Sequence, residues 1–105
     1  MAKFILVYLG GDMPANPEEG KMHFAKYKSW LDSLGKALVS PANPLKDTHT
    51  VMSDGSAEPG TSTGMSGFTI LEVDSIEEAT RLAQACPFLE INGRLEVSEL
   101  IEMHM

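Results

Sequence analysis

Apolar positions follow two rhythms along this 105-residue chain. Phe4-Ile5-Leu6-Val7-Tyr8-Leu9 is apolar at every position and predicts a strand with cover on both faces, and Phe68-Thr69-Ile70-Leu71-Glu72-Val73 predicts a further strand. Between and after them the apolar residues recur in threes and fours. Phe24, Tyr27, Leu31 and Leu34 predict the inward stripe of a first helix, and Ile76, Ala79, Leu82 and Ala83 that of a second. Arg94 to Ile101 reads as a last strand.

Punctuation sharpens these boundaries. Asn16-Pro17-Glu18-Glu19 supplies an N-cap, a proline for the first helical position and two carboxylates for the positive end of the helix dipole. Gly35 is the stop. Ser75-Ile76-Glu77-Glu78 has the capping-box spacing, and Pro87 closes that helix. Lys36 to Val39 predicts a short second strand. Pro41-Ala42-Asn43-Pro44 predicts irregular backbone, because each proline fixes φ and lacks a donor. Thr48 to Met52 is a weak strand. Ser53 to Ser66, rich in Gly, Ser and Thr, predicts a long flexible loop.

The order is β-α-β-(β)-β-α-β, which predicts one α+β domain, a ferredoxin-like sandwich with an antiparallel sheet and both helices on one face. The other face would then carry either Phe4, Leu6 and Tyr8 or Ile5, Val7 and Leu9. An uncovered apolar face of that size calls for a second chain, so a homodimer packed sheet to sheet is expected.

Composition narrows the partners. A net charge of −7 with no basic stripe disfavours nucleic acid and anionic membrane surfaces. The Phe4–Leu9 run is far shorter than the ~20 residues of a membrane span. A single cysteine, Cys86, allows no internal disulfide, and a cytoplasmic location is expected. Cys86 has no cationic sequence neighbour and reads as a buried, inert thiol. His23, His49 and His104 lack ligand spacing, so no metal site is predicted. No phosphate loop or serine-hydrolase elbow is present, and no cofactor is expected.

Two places carry candidate chemistry. His23, Tyr27 (i+4) and Trp30 (i+7) share one helix face. An imidazole beside two aromatic rings suits proton transfer near neutral pH, and Tyr27 and Trp30 suit the wall of a pocket for a flat apolar ligand; a half-exposed histidine over core aromatics fits the same spacing. Glu99 falls on the Leu95/Val97 side of the last strand, where a carboxylate either faces a pocket or partner chain or marks a bulge or strand end.

The order and spacing of several segments resemble the YCII-related family, which includes the DGPF-motif proteins. They are a Trp-bearing first helix ending in Leu34-Gly35, Asn43-Pro44-Leu45, Asp54-Gly55, Gly67 to Glu72, Asp74-Ser75, Glu78-Ala79, Cys86-Pro87 and Leu95-Glu96-Val97. Here Asp54-Gly55 is followed by Ser56-Ala57 where the family motif has Pro-Phe. The resemblance implies a dimeric α-β sandwich with a cleft between the first helix and the sheet. It implies Asp47 as a carboxylate orienting His23, and a cofactor-independent lyase or isomerase reaction on a small cyclic or aromatic molecule. A non-catalytic ligand-binding or accessory module is the alternative.

Overall fold

In the computed structural model, residues 1–103 are described. Six strands and two α-helices follow one another as β1 (Ala2–Gly10), α1 (Pro17–Leu34), β2 (Leu38–Pro44), β3 (His49–Val51), β4 (Ala57–Pro59), β5 (Met65–Val73), α2 (Ile76–Ala83) and β6 (Gly93–Glu99). Short 3-10 turns fill Gly35–Ala37 and Pro87–Ile91. The main sheet runs β2-β5-β1-β6 with every pairing antiparallel. This is the ferredoxin-like order, in which β5 inserts between the two strands joined by α1.

Both helix starts form as their sequences dictate. Asn16 Oδ1 accepts from the Glu19 amide at 2.8 Å, and the Glu19 carboxylate returns to the Ala15 amide at 3.0 Å. Ser75 Oγ accepts from the Glu78 amide at 3.1 Å. The core lies on one face of the sheet. Phe4, Leu6 and Tyr8 of β1 point into it, opposite Leu71, Thr69 and Gly67 of β5, and meet Trp30, Leu34, Ala79 and Ala83 from the helices. Of the two sets in β1 it is therefore Ile5 and Val7 that face away. Leu9 is buried, because the pairing with β5 shifts register between Tyr8 and Leu9.

Three segments differ from the sequence reading. The 36–39 strand begins later and runs through both prolines to Pro44. Prolines are tolerated there because β2 is an edge strand, and its pairing with β5 shifts register twice. The 53–66 stretch is not one loop: β4 forms within it and pairs with β3 as a separate two-stranded sheet. Residues 51–63 are all exposed. The Cα radius of gyration, 15.2 Å, exceeds the ~13 Å of a compact chain this long, because this hairpin stands off the body. Finally, β6 pairs with β1 without a bulge as far as Phe4↔Glu99.

Candidate functional site

α1 is clamped at one end only. Trp30 and Leu34 are its buried residues, and the Trp30 indole Nε1 donates to the Leu82 carbonyl at 3.0 Å. One turn and a half earlier, Phe24 is 64 % exposed. The N-terminal half therefore overhangs the sheet, tethered by a 3.0 Å ion pair between Lys26 and Glu90 of the turn after α2.

Under the overhang lies a cleft of about 260 Å³. His23, Phe24 and Tyr27 form its upper wall, Ala42 to Pro44 of β2 and Ser66 to Phe68 of β5 its side, and Tyr8 and Phe88 its floor. Gly67 makes the side wall possible, since a Cβ there would sit 2.9 Å from the Asn43 carbonyl oxygen. Asn43 Nδ2 donates to the Phe68 carbonyl at 3.1 Å and to Ser40 Oγ at 2.9 Å, which pins the irregular edge. A second cleft, about 400 Å³, adjoins at the start of α1 and is lined by acidic Asp12, Glu19 and Glu90 with Met13, Pro14 and Ile91. His23 and Phe24 border both clefts.

A hydroxyl cluster joins the floor to the wall and to Thr69 behind them. Tyr8 Oη lies 2.5 Å from Thr69 Oγ1 and 2.9 Å from Tyr27 Oη, and Thr69 Oγ1 donates to the Pro41 carbonyl at 2.6 Å. The Tyr8 ring meets Tyr27 and Phe88 edge-on at centroid distances of 6.0 and 5.1 Å. Burial drives the Tyr8 pKa far above the ordinary phenol value, so Tyr8 stays protonated. Burial likewise pushes Cys86 up to about 11, which leaves a thiol rather than a nucleophilic thiolate.

His23 and Tyr27 come together in the cleft wall. Trp30 stands behind them in the core, its ring tilted 30° to Tyr27 at 5.9 Å, outside the cleft lining. Asp47 sits on an exposed bend with φ 56°, where its backbone carbonyl lies 2.9 Å from His49 Nδ1. No hydrogen bond or ion pair joins its carboxylate to His23 among the described residues. Glu99 is exposed at the end of edge strand β6, away from the cleft. Among the described residues no cluster of metal-ligating side chains forms; His104 lies outside them. No helix among them is long and apolar enough to cross a membrane. Tyr8 and Thr69 were missed as site residues, although each is the polar-tipped position of an apolar strand.

A solved structure of similar fold is 5-chloro-2-hydroxyhydroquinone dehydrochlorinase from Burkholderia phenoliruptrix AC1100 in complex with 2,5-dihydroxybenzoquinone. It matches with a TM-score of 0.59 and 16 % identity, over 96 % of this chain and 95 % of that one. No curated protein sequence matches the chain. The YCII-related domain matches residues 5–104. The chain therefore belongs to the YCII-related family.

Proposed function

We propose that the cleft under α1 binds a small, partly apolar, single-ring molecule and that His23 moves a proton on it in a cofactor-independent lyase or isomerase reaction. The observation that carries this reading is one imidazole in the wall of a largely apolar cleft whose volume suits a single ring. The structural neighbour, named a dehydrochlorinase and holding a dihydroxybenzoquinone, supports a substrate of that size. Loss of hydrogen chloride also needs a group that accepts a proton. Asp47 enters the reading through the family resemblance alone, so the proton step is assigned to His23, with Tyr27 as its neighbour in the wall. Trp30 supports Tyr27 from behind, and Glu99 has no part in the step.

One observation favours a second reading, a non-catalytic ligand-binding module. His23 has no carboxylate partner among the described residues, and a general base is usually oriented by one. The experiment that separates the two uses 2,5-dihydroxybenzoquinone and a panel of single-ring phenols. Binding is followed by ligand-observed NMR and turnover by deuterium uptake from solvent. The enzyme reading expects exchange in the wild type and binding without exchange in His23→Ala. Equal exchange by His23→Ala removes the role of His23, and binding without any exchange in the wild type leaves the binding module.

The same proposal includes a homodimer. Ile5, Val7 and Ile70 lie on the sheet face opposite the helices and belong to neither core cluster, and a second copy packed sheet to sheet would cover them.

A further inference from the structure

Proton positions in the hydroxyl cluster follow from counting donors. A carbonyl oxygen only accepts, so the single Thr69 hydroxyl proton is spent on Pro41, 2.6 Å away. Thr69 Oγ1 therefore accepts at its 2.5 Å contact with Tyr8, and the Tyr8 proton is spent on Thr69. Tyr8 Oη must then accept at its 2.9 Å contact with Tyr27, so Tyr27 donates inward. Its longer approach to Thr69, 3.4 Å, offers the same inward direction. Every proton in the chain Tyr27 → Tyr8 → Thr69 → Pro41 points away from the cleft. Tyr27 lines the cleft, and a ligand that reaches its oxygen meets lone pairs and no proton.

We infer that this one-way hydroxyl chain makes Tyr27 in the cleft wall a hydrogen-bond acceptor, so that the cleft selects a ring bearing an O–H or N–H donor over a ring of the same shape bearing only an acceptor. The inference rests on the cleft being a ligand site and adds the polarity of the ligand it takes. The direction is well held. Thr69 is fully buried and Tyr8 nearly so, so water does not compete for their protons. Deprotonation of Tyr8, which would reverse the first link, is suppressed by burial. A ligand carbonyl or N-oxide placed at Tyr27 would meet oxygen lone pairs with no proton between them, which costs binding.

The test uses two probes of one shape. Phenol carries a donor and pyridine N-oxide only an acceptor. Dissociation constants for both are measured by ligand-observed NMR on wild type, Tyr27→Phe and Thr69→Val. The quantity read is the ratio of the N-oxide constant to the phenol constant. The intrinsic difference in hydrophobicity between the probes is common to all three proteins and cancels between them. Tyr27→Phe removes the acceptor and should lower the ratio roughly tenfold. Thr69→Val removes the inner acceptor. Tyr8 must then donate to Tyr27, and the Tyr27 proton turns into the cleft, so the ratio should fall below that of Tyr27→Phe. A ratio unchanged by Tyr27→Phe overturns the acceptor wall while leaving the cleft as a ligand site. A ratio that stays at the wild-type value in a folded Thr69→Val overturns the one-way chain. Failure of both probes to bind the wild type overturns this inference and the cleft reading together. If Thr69→Val does not fold, the Tyr27→Phe comparison decides alone.

Discussion

Trp30 and Leu82 join the two helices through one hydrogen bond, from the indole Nε1 to a backbone carbonyl at 3.0 Å. The carbonyl belongs to the last turn of α2, where its local donor is the Ala85 amide at 3.3 Å. Trp30→Phe keeps most of the apolar contact and leaves that carbonyl to the Ala85 amide, 3.3 Å away. It should cost about 1 kcal/mol in urea unfolding. Trp30→Ala should cost about 3–5 kcal/mol by adding a cavity. Equal losses for the two variants would show that the hydrogen bond, and not the ring volume, dominates.

Gly93 sets the position of the cleft floor. A Cβ at this residue would overlap the Phe88 ring and lie 2.7 Å from the Phe88 carbonyl oxygen. Gly93→Ala should destabilise the fold by about 1–3 kcal/mol through overpacking and push Phe88 off Tyr8. Urea midpoints read the first effect. Ring-proton NMR shifts of Tyr8 and Phe88 read the second, and unchanged shifts would mean that the backbone, not the ring, gives way.

Cys86 ties stability to alkaline pH. Its pKa is raised in the folded chain to about 11, so the native state holds this proton more tightly than the unfolded state, where the ordinary value is 9.0. Its contribution is complete below pH 9 and is lost as pH rises from there to 11. The loss should be on the order of 2 kcal/mol. Cys86→Ala should flatten the stability profile across that window. The remaining decline above pH 10 would come from Tyr8, whose shift has the same sign. An aromatic disulfide reagent should label Cys86 at the rate of unfolding, and instant labelling of the native protein would contradict its burial.

The homodimer is checked by light scattering at micromolar concentration, which should give twice the mass of one chain. Ile5→Lys places a charge on the open face without touching the core cluster and should give the single-chain mass with circular dichroism unchanged. A single-chain mass for the wild type would remove the sheet-to-sheet arrangement.

What could be read from the sequence was local. The caps at Asn16 and Ser75 announce themselves because the bonds they make span three residues. The edge strand β2 was hidden because its prolines forbid a central strand yet suit a boundary, and the choice between the two depends on β5 lying on one side only. β4 is three residues with no alternation. The site divides in the same way. His23 and Tyr27 share a face by helical spacing, but Trp30 turns into the core because its N–H finds a carbonyl 52 positions away. Tyr8 and Thr69 meet through the pairing of two distant strands, a relationship no local pattern encodes. The placement of Asp47 likewise depends on how the β3–β4 hairpin leaves the body.

The Lys26–Glu90 pair spans the overhang where water reaches both charges. Ions in solution screen such a pair, whereas the Trp30 clamp behind it is dry. Ionic strength is thus a dial on the helix's free end: raising it slackens the canopy above the cleft while its root in the core stays fast.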